Sequence, residues 1–311
     1  MTQFHHHHSV LFDESLTALA IQPDGIYIDG TFGRGGHAKA VLEKLGGQGR
    51  LYALDKDPAA IAFAQEVVEK DKRFVIVQDS FAHLAERAQQ WGVTGKVNGV
   101  LLDLGVSSPQ LDDPSRGFSF RQDGPLDMRM NHRQGETAAE WVARVPEKEM
   151  IDVFKRYGEE RYAKRIARAI VTQRQQSAIT TTTQLADIVS RAHPAWEKGK
   201  HPATRVFQAI RIAVNRELED LQDCLTNIID VLAVGGRLVI ISFHSLEDKI
   251  VKQFIQQAEK GSDVPSHIPV TASQLNIRLK RVGKMQQASA EELKQNPRAR
   301  SARLRVSERI A

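Results

Sequence analysis

The segment IYIDGTFGRGGH (26–37) places an acid, Asp29, directly before a cluster of glycines, Gly30, Gly33, Gly35 and Gly36. Glycines here free the backbone φ and remove Cβ atoms, so the chain can turn tightly and approach a nucleoside or phosphate. Alone, the pattern is shared by plain turns, dinucleotide sites, nucleotide sites and S-adenosylmethionine sites. RLYALDKD (50–57) then presents Asp55 about twenty residues past the glycines, where a Rossmann-type fold sets an acid against ribose hydroxyls. That spacing serves NAD and S-adenosylmethionine equally. QDSF (78–81) brings an acid, a hydroxyl and the ring of Phe81 together, a set suited to the amino edge and face of an adenine. DLGVSSPQ (103–110) opens with a fourth acid, Asp103. A nicotinamide enzyme uses the first two clusters. S-adenosylmethionine, with an adenine, a ribose and a charged amino-acid tail, has use for all four.

Each cluster ends a short apolar run, at 26–28, 50–54, 74–77 and 100–104, and these runs read as buried parallel strands. Ligands of an open parallel sheet bind outside the carboxyl ends of its strands, near the reversal of strand order, so the four clusters converge on one crevice. A fifth strand is expected over 236–243, entered through a Gly235-Gly236 turn. Helical patterns at 138–144, 147–157, 159–175 and 183–192 fill the interval before it and mark a helical domain inserted into the sheet. A helix over 246–259 and a closing antiparallel pair, 277–282 with 302–307, complete the chain. The expected fold is therefore α/β, a Rossmann-like sheet with an inserted all-helical domain. Its parts are 1–110 for the first part of the sheet, 111–205 for the substrate-recognition insertion and 206–311 for the second part.

In 311 residues, 41 % hydrophobic and 26 % charged composition describes a globular chain rather than a disordered one. No apolar run reaches the roughly 18 residues of a membrane span, and no signal-peptide pattern opens the sequence. The single cysteine, Cys224, excludes an internal disulfide or a thiolate metal cluster and suits a reducing cytoplasm. The net charge of +5 is uneven: ten Lys or Arg face three Glu over 271–311. A second cationic stripe, Arg161, Lys164, Arg165 and Arg168, recurs at helical spacing opposite Tyr162, Ile166, Ala169 and Ile170. With Lys200, His201 and Arg205, it points to phosphate contacts and hence to nucleic acid.

Seven strings resemble one family: DGTFGRGGH (29–37), LLDLGVSSPQLDDPSRGFSF (101–120), DGPLDMRM (123–130), YGEERYAKRIARAI (157–170), KHPATRVFQAIRI (200–212), GGRLVIISFHSLED (235–248) and NPRARSARLR (296–305). The chain resembles the RsmH (MraW) family over its length from His7 onward. The resemblance implies S-adenosylmethionine as cofactor, held by Gly35, Gly36, His37, Asp55, Phe81, Asp103 and Gln110, with Gly33 in the same glycine turn. It also implies methylation of a cytosine exocyclic amino group in 16S ribosomal RNA within the small ribosomal subunit, and it leaves a homodimer open.

Such an amino group is a poor nucleophile because its lone pair is delocalised into the ring, so acceptors that bind its protons would favour attack by nitrogen. Asp103, Ser107 and Ser108 are the acceptors of the fourth loop. Its Asp103-Leu104-Gly105-Val106 replaces the Asp/Asn-Pro-Pro-aromatic motif of many amino-methyltransferases. His244, after the fifth strand, either holds the base, relays the released proton or serves structure alone. The run His5 to His8 reads as a terminal segment, and no catalytic metal is expected. Two other classes carry less of this pattern: a nicotinamide oxidoreductase, and an RNA-binding protein without catalysis.

Overall fold

A computed structural model of the protein describes residues 9–196, 199, 201–261 and 276–311; His5 to His8 and Lys200 lie outside the described residues. The chain divides into two compact units, Met1–Gly105 with Leu218–Ala311, and Val106–Glu217.

The first unit is a seven-stranded sheet of β1 (Ile26–Asp29), β2 (Arg50–Asp55), β3 (Phe74–Gln78), β4 (Val97–Asp103), β5 (Leu232–Ser242), β6 (Leu279–Arg281) and β7 (Arg303–Arg309), in the order β3-β2-β1-β4-β5-β7-β6. The first five strands are parallel, and β7 runs antiparallel to both β5 and β6. The order reverses between β1 and β4, so Asp29 and Asp103 end the two strands beside the switch point.

Alternation along the strands splits the core in two, as the period of two requires. Ile28, Val100, Leu102 and Ile240 face one cluster with Leu84, Leu221, Ile228 and Val251. Tyr27, Leu101, Val239 and Ile241 face the other, with Leu19, Val41, Leu42 and Ala64. The first layer contains α4 (Leu84–Gln90), α11 (Glu217–Val231) and α12 (Ser245–Lys260); the second contains α1 (Phe12–Leu19), α2 (Gly36–Lys44) and α3 (Pro58–Lys70). No helix among the described residues is long and apolar enough to cross a membrane.

Strand β5 begins earlier than expected. Leu232 pairs with Val97 and Arg237 with Gly99, so the residues between them bulge out of the ladder and read as a turn in sequence. Gly235 there has φ 82, and Val234 is exposed. The cationic tail is also less open than its composition implies. Arg303 and Arg305 both bind Asp248, Lys280 binds Glu308, and Arg278 and Arg281 bind Asp230 and Glu259. Much of the tail's charge is thus matched within the unit and fastens β6 and β7.

The second unit contains α5 (Ser108–Asp112), α6 (Ala138–Arg144), α7 (Glu147–Gly158), α8 (Ala163–Gln176), α9 (Thr182–Ala192) and α10 (Ala203–Asn215). It begins at Val106 and runs to Glu217, where the sequence boundaries stood at 111 and 205, because α10 packs on α7 and α9. Gly158 permits that packing: a Cβ there would lie 2.6 Å from the Arg205 carbonyl oxygen. Capping boxes start α6 at Thr137 and α9 at Thr181. Helix α8 starts at Ala163 rather than 159, since Glu159 turns left-handed at φ 50 and buried Glu160 accepts the Tyr162 N–H at 2.7 Å.

The DGPLDMRM string is structural in this unit. Asp123 accepts from the Thr183 hydroxyl at 2.6 Å, and Asn215 joins Met128 and Met130 by donating to the Met128 carbonyl and accepting the Met130 N–H, each at 2.7 Å.

Candidate active site

The glycine turn is laced to the ends of β2 and β4. Gly33 N–H donates to Asp55 Oδ2 at 2.7 Å, and the Asp57 N–H donates to Asp55 Oδ1 at 2.8 Å. Thr31 N–H donates to Asp29 Oδ1 at 3.0 Å, while the Thr31 hydroxyl oxygen accepts the Asp103 N–H at 2.6 Å. Three acids from three strands are therefore held beside one loop.

The missing Cβ atoms of this loop serve two purposes. A Cβ on Gly35 would lie 2.7 Å from the Phe32 ring, and one on Gly36 would strike the Ser9 hydroxyl, so those two glycines make room for the protein's own side chains. Gly33 alone faces open space, with Thr31 O at 3.9 Å and φ 56. Its Cβ side is open to a ligand.

Burial raises all three acids. Asp29 is pushed up to about 7 and Asp55 to about 6, although the backbone N–H groups of Asp57 and Gly33 pull Asp55 back. Asp103 reaches about 8, through burial first and then through the charges of Asp29 and Glu247. Its Oδ1 is closed to solvent and has no hydrogen-bond partner among the described residues. His37, 5 % exposed and stacked on Phe12 at 5.7 Å, lies 3.9 Å from Asp103 Oδ2. Burial lowers its pKa to about 4, so it adds no positive charge. A group of raised carboxyls with an unpartnered oxygen fits a cationic ligand, as the ammonium and sulfonium of S-adenosylmethionine would be.

The end of β3 differs from expectation. Asp79 is held by His83 at 2.8 Å and Arg87 at 2.7 Å, and the Ser80 hydroxyl donates to Asp220. Acid and hydroxyl brace the sheet edge, leaving the half-buried ring of Phe81 as the member of that set available to an adenine.

His244 is the N-cap of α12. Its Nδ1 accepts the Glu247 N–H at 3.4 Å, and its Nε2 lies 3.1 Å from Glu247 Oε1. Glu247, 2 % exposed, returns Oε2 to the Phe243 N–H at 2.8 Å. This reciprocal box accounts for the His-Ser-Leu-Glu spacing. Ser107, Ser108 and Gln110 belong to the helical unit, where Gln110 Oε1 accepts the Ser107 N–H at 2.9 Å and starts α5. Asp29, the acid ahead of the glycines, joins the site, and Thr31 and Glu247 join it without having been singled out from sequence. Thr31 sits inside the glycine string, and Glu247 is three residues past a capping position, a readable signal.

The strand order with antiparallel β7, and the acids at the ends of β1, β2 and β4, define a Rossmann-like class I methyltransferase fold. The model of the MraW methylase family matches residues 4–310, and the chain belongs to that family; it is a methyltransferase. It is 56 % identical over 305 residues to the ribosomal RNA small subunit methyltransferase H of Chromohalobacter salexigens, covering 98 % of this chain and 92 % of the relative. Among solved structures it is similar to an rRNA methylase from Streptococcus thermophilus, at 11 % identity and TM-score 0.44, covering 97 % of this chain and 98 % of that one. A SAM-dependent O-methyltransferase from Thermotoga maritima is similar at 10 % identity and TM-score 0.39, covering 96 % and 65 %.

Proposed function

We propose that the protein methylates the exocyclic amino nitrogen of a cytosine in 16S ribosomal RNA, within the small ribosomal subunit and in the cytoplasm. When bound, S-adenosylmethionine supplies an electrophilic methyl group on a sulfonium centre. Gly33, Gly35, Gly36, His37, Asp55 and Phe81 hold the cofactor, and Gln110 acts with them. Asp103 supplies negative charge, and Ser107 and Ser108 accept hydrogen bonds from the base amino protons. Alignment of nitrogen with the methyl group is the main task, and good alignment is worth roughly 7–11 kcal/mol. One proton leaves the nitrogen on transfer, and Asp103 is the group we assign to receive it. His244 positions the start of α12.

One observation carries the choice of nitrogen over ring carbon 5. Attack through carbon 5 needs a thiolate, and the chain's single cysteine is 3 % exposed in α11 with its thiol pushed up to about 12 by burial. Direct attack by the amino nitrogen needs no such group. Cys224→Ala is therefore expected to keep the methyl-transfer rate within about twofold while costing about 1 kcal/mol in a thermal melt. Loss of activity in a folded Cys224→Ala protein would overturn direct attack.

Helix α8 supports an RNA substrate. Lys164, Arg165 and Arg168 are exposed while Ile166, Ala167 and Ile170 are buried, and no ion pair holds those three cations among the described residues. Unlike the matched tail, this stripe remains open to phosphates.

A further inference from the structure

Four aromatic rings run through the helical unit from core to surface. Phe207 on α10 is buried, and its ring meets Phe120 edge-on with centroids 4.8 Å apart. Phe120 lies against His201 at 4.6 Å, and His201 against Trp196 at 5.6 Å. Trp196 is 63 % exposed, the most exposed Phe, Tyr or Trp ring among the described residues. An indole left in water forgoes the gain from burial that its neighbours obtain.

The ladder is fixed from below. His201 Nδ1 accepts the Ala203 N–H at 3.2 Å at the start of α10, and its Nε2 is 3.5 Å from the Ser190 hydroxyl on α9. Two exposed arginines are next in sequence to its members: Arg121 follows Phe120, and Arg191 follows Ser190, with its Nε donating to the Asp187 carbonyl at 3.3 Å. Fixed rings with adjacent guanidinium groups are the parts of a single-strand nucleic-acid site, in which bases stack and phosphates pair. A duplex offers no free base face, so such a site selects an unstacked nucleotide. An apolar protein partner would instead match a groove with few cations.

We propose that Trp196, His201 and Phe120 form a stacking platform for an unpaired nucleobase, with Arg121 and Arg191 taking the neighbouring phosphates. This rests on the RNA reading above and extends it to a position in the helical unit that the cofactor residues do not occupy.

Fluorescence titration of the full chain with a short single-stranded oligoribonucleotide, against the same strand annealed into a duplex, tests it. Trp141 is buried and Trp91 stacks on Tyr52, so Trp196 is the tryptophan open to a base. The single strand is expected to quench emission and the duplex to do so weakly. Trp196→Ala is expected to remove the quench and weaken binding about tenfold, and Trp196→Phe to restore most of the affinity. Arg191→Gln is expected to lower the salt slope by about one. Melting temperature and cofactor affinity should match the wild type in each variant.

Equal quenching by both probes, or Trp196→Ala affinity within twofold, overturns the platform. Weaker binding of Trp196→Ala to small ribosomal subunits, with no response to the oligonucleotide, assigns the surface to a protein contact and overturns it too. Methyl transfer by the wild type to small subunits, measured in parallel, reports separately on the proposed function. Transfer with no oligonucleotide response keeps that function and removes the platform; the reverse pattern keeps the platform and removes the function.

Discussion

Asp103, Asp29 and Asp55 hold protons at pH values where exposed acids have lost theirs, because burial penalises the charged forms. In the unfolded chain they ionise near pH 4, so between about pH 4 and 8 the native state binds more protons than the unfolded one. Their contribution to stability is complete below about pH 4 and is lost as pH rises toward 8. Asp103→Asn has no charge to bury, so near pH 8 the ligand-free variant should be more stable than wild type by about 1–3 kcal/mol in thermal denaturation. It should also lose at least about a hundredfold in methyl transfer. A cationic cofactor favours the ionised carboxyl, so calorimetric affinity should rise from about pH 6 to 8, with a smaller slope in Asp103→Asn. An unchanged slope and a near-normal rate in the folded variant would remove Asp103 from the site. Asp55 and Asp103 were legible because each closes an apolar run. Asp79 closes one too, yet His83 and Arg87 occupy it, four and eight residues further on at helical spacing. That spacing was visible in sequence, but only a side-chain geometry shows which acid is engaged.

Helix starts were the most readable elements wherever the side chain that makes the cap is local. Thr137 with Glu140 and Thr181 with Gln184 mark α6 and α9, and the pattern at 138–144 matches α6 (Ala138–Arg144). The starts of α8 and β5 were not readable. One depends on a left-handed Glu159 with a buried Glu160, and the other on a bulge whose glycines resemble a turn. His244 belongs with the caps. His244→Asn, which keeps an acceptor for the Glu247 N–H, should hold stability within about 0.5 kcal/mol, whereas His244→Ala should cost about 1 kcal/mol in denaturant unfolding. The asparagine variant should keep at least about a third of the rate. A hundredfold or greater fall in kcat for the folded variant would instead give the imidazole a direct part in proton transfer.

Across the whole chain, the sequence conveyed the sheet and its interruption by helices, since both follow from periodicity, but not how charge is matched. Ten cations near the C-terminus read as a surface for a partner, yet Asp248 alone, 5 % exposed, binds both Arg303 and Arg305. Burial by itself would raise Asp248, but hydrogen bonds from Arg305 and Arg303 prevail and hold it below the usual carboxylate range. Its contribution is present above about pH 4 and lost as pH falls below that value. Asp248→Asn should therefore cost about 1–3 kcal/mol at neutral pH, with the deficit shrinking in acid, as pH-dependent melts would show.

The acceptor atom defines the reaction. Small ribosomal subunits from a strain lacking this gene, incubated with the protein and methyl-labelled S-adenosylmethionine, can be digested to nucleosides and separated. Label in a cytidine methylated on its exocyclic nitrogen is the predicted result. Label on carbon 5, or no label from a protein that binds the cofactor, would contradict it.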